Sequence, residues 1–244
     1  MHRPIRTSLH KCCLILILLL IPVRALPGQA PGTCTSGSVH DMETWSFVVN
    51  DTYQRICVYC HTPHNAYPVA GPLWSRPVDT NPSGLQPYTW AAPANQQIPE
   101  IVDPLIGPSR LCMTCHDGTM ALDAHGDMMP SGYVISNNLT FSHPIGFSFD
   151  QAYAIRGSAE LANKNEYFAT SLVISNTAGV YNNVTRESNR RIVDVLMNGT
   201  YMTCSTCHDV HNCGNVTPDP GDNYNYLLWA KEEQSLICLS CHLK

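Results

Sequence analysis

The 244-residue sequence is acidic and sparsely charged, with 14 Lys and Arg against 19 Asp and Glu and a formal net charge of −5 at pH 7. Beyond residue 30 the imbalance grows, because ten basic residues stand against all nineteen acidic ones. A protein that binds the phosphate backbone of a nucleic acid needs a basic patch, so the composition argues against that class.

Residues 1–30 have the pattern of a signal peptide. Basic residues precede an apolar run over residues 12–23, and small residues follow at Ala25 and Ala30. The run is too short to span a bilayer comfortably, so we expect cleavage after Ala25 or Ala30 rather than a membrane anchor. An uncleaved anchor is the alternative. In both cases we expect the folded part, residues 31–244, to lie outside the cytoplasm.

The chain beyond the signal segment predicts a single domain with little regular structure. It starts with an N-terminal arm over residues 31–55 and continues, after the first of four motifs described below, in a proline-rich connection over residues 66–110. Ten of the eighteen prolines lie between Pro63 and Pro108, and this density excludes a long helix or a central strand. We expect the connection to follow an extended, turning path.

Three short elements are predicted further along the chain. Apolar residues over 192–196 predict a short helix that ends near Gly199. A second short helix is predicted from about residue 231. The alternating strings over residues 133–136 and 147–149 allow a small hairpin.

The pattern Cys-x-x-Cys-His occurs four times, whereas the composition predicts on the order of a few hundredths of one match. In a c-type haem site the two thiols add to the haem vinyl groups as thioethers, and the adjacent imidazole binds the iron. Zinc knuckles and thioredoxin-like pairs are the alternatives, and neither needs His directly after the second Cys. We therefore expect four covalent haems, attached at Cys57 and Cys60, Cys112 and Cys115, Cys204 and Cys207, and Cys238 and Cys241, with His61, His116, His208 and His242 as iron ligands. Four haems would supply a large share of the apolar interior, which predicts a haem-packed, mostly irregular multihaem cytochrome c fold.

Two further cysteines, Cys34 and Cys213, remain after the signal segment and the motifs. An even remainder in an oxidising compartment makes a disulfide between them the economical interpretation. Two independent buried residues are the alternative. The bond would tie the N-terminal arm to the loop just after the third motif and would restrict the unfolded chain.

Five histidines outside the signal segment and the motifs are candidates for the second axial ligand of each iron. His64 and His211 each follow a motif histidine by three residues, a spacing that lets the second imidazole face a neighbouring iron. His40 and His143 stay open on local grounds, and His125 is typical of an exposed turn. An iron with two imidazole ligands has no position for a substrate, so this pattern indicates low-potential electron transfer and not an enzyme.

The residues around the motifs resemble a known family. The strings Thr62-Pro-His-Asn-Ala66, Asp117-Gly-Thr119 and His143-Pro-Ile-Gly-Phe147 look like those of the tetrahaem cytochromes of the OmcE type, and the motifs stand in the same order. Those proteins polymerise into extracellular filaments, often called cytochrome nanowires. The resemblance spans roughly residues 37–244.

The resemblance implies a ligand set and a partner. It implies that His40, His143, His64 and His211 complete bis-histidine coordination of the four irons. Similar proteins pass one histidine to a haem of the next subunit, and His40 on the N-terminal arm is the natural candidate. A head-to-tail contact of this kind does not close on itself, so it generates a homopolymer with a continuous chain of haems.

Three functions are compatible with this pattern. The first is a filament subunit that conducts electrons outside the cell to redox partner proteins or extracellular acceptors. The second is a soluble periplasmic tetrahaem electron shuttle. The third, a multihaem enzyme, is disfavoured because such enzymes often show a Cys-x-x-Cys-Lys motif, which this sequence lacks.

Asn-x-Thr sequons occur five times, where the composition predicts about one. A secreted protein exposes such sites to N-glycosylation, which would coat the surface with hydrophilic glycans. The alternative is that a loop-rich chain with many Asn and Thr residues keeps them unmodified. The five acceptors are Asn50, Asn138, Asn183, Asn198 and Asn215.

Overall fold

Short helices joined by irregular segments make up the described part of the chain. The computed structural model describes residues 35–68, 73–78, 85–86, 88, 99–118, 128–169, 171–172, 184–185, 190–211, 227–230 and 232–243. These residues all belong to one unit, Gly32–Lys244. Within them, every helix is too short or too polar to cross a membrane.

The longest described helix has nine residues. The α-helices are Pro108–His116, Phe149–Arg156, Ile192–Val195, Cys204–Cys207 and Leu236–Leu239. Turns of 3₁₀-helix occupy Met42–Thr44, Ile56–Tyr59, Ser131–Tyr133 and Glu233–Ser235. Two-residue strands, Ser171–Leu172 and Val184–Thr185, pair antiparallel.

The two longest helices have identifiable start and stop signals. Pro108 occupies the first position of its helix, where the missing N–H costs nothing. The hydroxyl of Ser148 caps the next helix by accepting from the amide of Gln151 at 3.3 Å. Gly157 ends that helix with φ +76°, a conformation that favours glycine.

Among the described residues, the buried apolar side chains form three separate clusters. The largest includes Phe168 and Ile192 and carries Cys241 on its edge. The second carries Cys60 and Cys115 on its edge. Motif cysteines therefore lie at the border of buried apolar side chains in two of the three clusters. The members of the two smaller clusters are Met42, Val48 and Tyr59, and Leu105, Met113 and Leu139.

The structure confirms both predicted short helices. The first is Ile192–Val195, and it ends before the turn at Gly199, where φ is +65°. The second is Leu236–Leu239, which begins later than the predicted residue 231 because Gln234 and Ser235 have positive φ angles of +55° and +60°. In the described parts of the proline-rich connection no helix or strand occurs before Pro108, as its proline density predicts.

The predicted hairpin over residues 133–136 and 147–149 is wrong. The amides of Ile135 and Ser136 both donate to the carbonyl of His116, so the first string closes a turn onto the second motif. The second string is interrupted because Ser148 caps the helix that begins at Phe149. Alternation of apolar residues does not distinguish a strand from a helix start preceded by a capping serine.

Candidate haem sites

Each Cys-x-x-Cys-His motif is folded into a helical turn. Motifs one, three and four share one backbone hydrogen bond, in which the histidine amide donates to the carbonyl of the first cysteine, while the second motif completes the Pro108–His116 helix. A turn of this kind places the two cysteines three residues apart on one face. The donor–acceptor distances are 2.8 Å for His61 to Cys57, 3.0 Å for His208 to Cys204 and 2.9 Å for His242 to Cys238.

The second spacer residue of every motif is buried and carries a hydroxyl group: Tyr59, Thr114, Thr206 and Ser240. The Tyr59 hydroxyl donates to the Glu43 carboxylate at 3.0 Å. The Ser240 hydroxyl accepts from the Ala169 amide at 3.0 Å. These hydrogen bonds connect the motif turns to the protein interior. They also give the buried hydroxyl groups the hydrogen-bond partners that buried polar groups need.

Successive motifs meet through their cysteines in chain order. All eight motif thiols are outside disulfide bonds. Cys60 and Cys115 border the same buried cluster, and the thiols of Cys112 and Cys204 are hydrogen-bonded to each other. Cys207 and Cys238 are close enough for charges on them to interact. The first motif therefore lies near the second and the second adjoins the third, while the third and fourth are within the range of an electrostatic interaction.

Burial and mutual hydrogen bonding set the acidity of these thiols. Burial raises the pKa of Cys60 to about 11 and that of Cys207 to about 11. The hydrogen bond between Cys112 and Cys204 raises the pKa of Cys112 and lowers that of Cys204. The pKa of Cys204 is therefore the lower of the two.

Three pairs of imidazoles bring a motif histidine opposite a histidine from another part of the chain. Two imidazoles whose nitrogens bind one iron at about 2 Å have ring centroids about 6 Å apart. Ordinary aromatic contacts cover about 4.5–7 Å, so the distance alone is compatible with both. The specific feature is that every pair joins a motif histidine to one of the expected distal histidines. The centroid distances are 6.3 Å for His61 and His211, 6.1 Å for His116 and His40, and 6.4 Å for His242 and His143.

Backbone carbonyls orient two of these rings. Nδ1 of His116 lies 3.0 Å from the carbonyl oxygen of Tyr133, and Nδ1 of His143 lies 2.9 Å from that of Pro144. A carbonyl oxygen only accepts, so each ring donates its Nδ1–H. Nε2 then keeps its lone pair, which is the form in which histidine binds a metal.

His40 and His211 have contrasting surroundings. Burial lowers the pKa of His40 to about 4, and its Nδ1 is buried without a hydrogen-bond partner among the described residues. The ring is therefore neutral and free to bind a metal through a nitrogen. Nδ1 of His211 faces the Asp209 carboxylate at 3.5 Å, and this contact raises the pKa of His211.

The position of His40 bears on one expectation from the sequence. The resemblance assigned His40 to a haem of a neighbouring subunit, and its ring lies opposite His116 of its own chain. The junction role of His40 stays a prediction. His64, the fourth expected distal histidine, has an exposed side chain and lies outside the three pairs. His125, Cys34 and Cys213 lie outside the described residues.

Two contacts in the site had no signal that we recognised in the sequence. Trp74 packs edge-on against His61, with ring centroids 5.8 Å apart. The Ser109 hydroxyl accepts from the amide of Cys204 at 3.0 Å. Ser109 stands three residues before Cys112, so recognising the helix at Pro108 would have placed both on one face.

In the described ranges, no group of three or more His, Cys, Asp or Glu side chains is arranged to hold a metal ion. No protein-family model matches this chain, and a comparison with curated proteins gives no match.

Proposed function

We propose that this chain is an electron-transfer protein with four covalently attached c-type haems. The observation that carries the proposal is the set of three histidine pairs with centroids between 6.1 and 6.4 Å apart. In each pair one member belongs to a haem motif and the other does not. The paired histidines would hold the haem iron, and the bound haem would supply one-electron chemistry.

The contacts between motifs support a path for electrons along the molecule. Groups attached at Cys60 and Cys115 would lie beside the same buried cluster, and groups attached at Cys112 and Cys204 would lie close together. Buried apolar clusters border one cysteine in each of three motifs, namely Cys60, Cys115 and Cys241. Occupation of both axial positions leaves no coordination site for a substrate, which favours conduction over catalysis.

We further propose that copies of the chain associate head to tail into an extracellular filament. His64 is the ligand that we assign to the junction, because its side chain is exposed while His40, His143 and His211 face motif histidines of their own chain. One imidazole that serves the next subunit makes the contact heterologous, and such a contact propagates without closing.

Intact mass spectrometry of the secreted protein, with absorption spectroscopy, tests the haem proposal. We expect the mass of four haems and low-spin spectra in both redox states. A matched variant, Cys57→Ala with Cys60→Ala, should lose one haem mass. Fewer than four haems in the unmodified chain, or a high-spin band, would contradict the proposal.

Electron microscopy of cell-surface material tests the filament separately. Filaments that contain this chain support the polymer. Four low-spin haems in a protein that stays monomeric would instead identify the soluble periplasmic shuttle.

A further inference from the structure

We infer that Ser109 is a positioning residue that fixes the second and third haem motifs relative to each other. The inference rests on the proposed function, since it assumes that Cys112 and Cys204 carry haem. Ser109 has an exposed fraction of 0%, and its hydroxyl accepts from the amide of Cys204, 95 residues away in the chain, at 3.0 Å.

Helix geometry explains why Ser109 reaches this amide. Ser109 and Cys112 are three residues apart in the Pro108–His116 helix, so they lie on one face. That face packs against the Cys204–Cys207 helix, and both residues contact Cys204 there. Ser109 contacts both the backbone amide and the thiol of Cys204, and Cys112 contacts the thiol of Cys204.

The bonded amide is one that the short helix cannot satisfy by itself. Cys204 is the first residue of its helix, and the first amides of a helix have no partner within it. The nearby hydroxyl of Thr206 is already occupied by the amide of Thr203. Ser109 therefore satisfies a partly buried donor from another segment, and losing it would leave that donor unpaired.

The chemical consequence concerns the spacing of two haems. Thioethers at Cys112 and Cys204 would join the second and third haems at adjacent edges. The hydrogen bond from the Cys204 amide to the Ser109 hydroxyl holds the backbone of Cys204 next to the helix that carries Cys112. Its removal should allow the second and third motifs to move apart while each keeps its own ligands.

The Soret circular dichroism of the loaded protein tests this, because coupling between haem transitions depends on the distance and angle between haems. We expect Ser109→Ala to keep four haems and low-spin absorption while the bisignate Soret signal loses amplitude. Ser148→Ala is the matched control, since it removes one serine hydrogen bond from a helix cap outside the motifs. Its Soret signal should be unchanged.

A double-mutant cycle tests whether the loss of Soret amplitude in Ser109→Ala depends on the third haem. In a background with Cys204→Ala and Cys207→Ala, which lacks that haem, Ser109→Ala should produce no further change. An unchanged Soret signal in the single variant with four haems would overturn the inference alone. Failure of the unmodified chain to carry four haems would overturn the proposed function instead.

Discussion

His211 lies opposite His61 with ring centroids 6.3 Å apart and ring planes inclined by 28°. His61 belongs to the first motif, whereas His211 follows the third. His211 follows the third motif histidine by three residues, and its ring faces the motif histidine of the first. The first iron is therefore expected to draw its two ligands from opposite halves of the chain. This pairing makes the first and third motifs neighbours as well as the first and second.

Replacement of the distal histidines should separate an internal ligand from a junction ligand. His64→Ala and His40→Ala should each keep four haems and each open one iron to carbon monoxide. Only His64→Ala should abolish filaments. The ring of His40 lies opposite His116 of its own chain, so we expect it to bind an iron within that chain and not in the next subunit. Electron microscopy and carbon monoxide difference spectra of the two variants check this.

Two outcomes would contradict this assignment. Normal filaments from His64→Ala would show that His64 binds within its own chain or binds no iron. Loss of filaments from His40→Ala, with His64→Ala unaffected, would identify His40 as the junction ligand.

Glycine substitutions should reveal how tightly the loop around His143 is packed. Gly146 and Gly157 have similar positive φ angles, +82° and +76°. A Cβ at Gly157 meets nothing within 4 Å, so Gly157→Ala should lower the free energy of unfolding by about 1–3 kcal/mol through backbone strain alone. A Cβ at Gly146 would collide with the backbone of Asp103 and Pro104, so Gly146→Ala should cost clearly more.

Urea unfolding of the two loaded variants measures the difference. If Gly146→Ala and Gly157→Ala lose equal amounts of unfolding free energy, the backbone near Asp103 can move to accommodate the added Cβ without extra cost. Because Gly146 lies close to His143, Gly146→Ala should also weaken the low-spin signal of one iron, which Gly157→Ala should leave intact.

A disulfide between Cys34 and Cys213 stays a prediction from the sequence. A non-reduced digest of the mature protein should contain the two cysteines in one linked peptide pair, and reduction should release them. Two thiols that react with an alkylating agent under denaturing conditions would exclude the bond.

Glycan attachment should be found at the exposed sequons. Asn50, Asn138 and Asn198 are exposed, whereas Asn183 and Asn215 lie outside the described residues. The Asn138 side-chain oxygen accepts from the Thr140 amide and hydroxyl at 3.1 and 2.5 Å, which holds the residue in a surface turn.

Mass spectrometry of the mature protein should therefore show hexose-sized increments beyond polypeptide and haems. Thr140→Ala should remove the increment at Asn138 and leave the others. A mass equal to polypeptide plus four haems would end the hypothesis.

The sequence indicated the local structure better than the long-range pairing. The short helix at Ile192–Val195 was predictable because its apolar spacing and the following Gly199 are local signals. The Pro108–His116 helix was missed because proline-rich surroundings obscured a start signal that proline itself supplies at the first helical position. The hairpin failed because a capping serine interrupted the alternation.

The ligand partners could not be read from spacing alone. Which distal histidine faces which motif depends on the path of the long proline-rich connection, and no local rule fixes that path. The three-residue offset of His211 predicts a ring that faces a neighbouring iron but does not say which one, and the ring lies opposite His61. The family resemblance implies a junction role for His40, whose ring lies opposite His116 of its own chain.

The pairing of His61 with His211 also has a consequence for biosynthesis. His40 precedes the second motif and His143 precedes the fourth, so a chain emerging from its N-terminus presents those two distal rings before the motif that needs them. The first motif is made early, yet its partner ring follows only after the third motif. In the proposed tetrahaem protein, a nascent chain that stops short of residue 211 would hold both histidines of its second site but only one histidine of its first. Maturation would then run out of sequence order, with the earliest motif among the last to be completed.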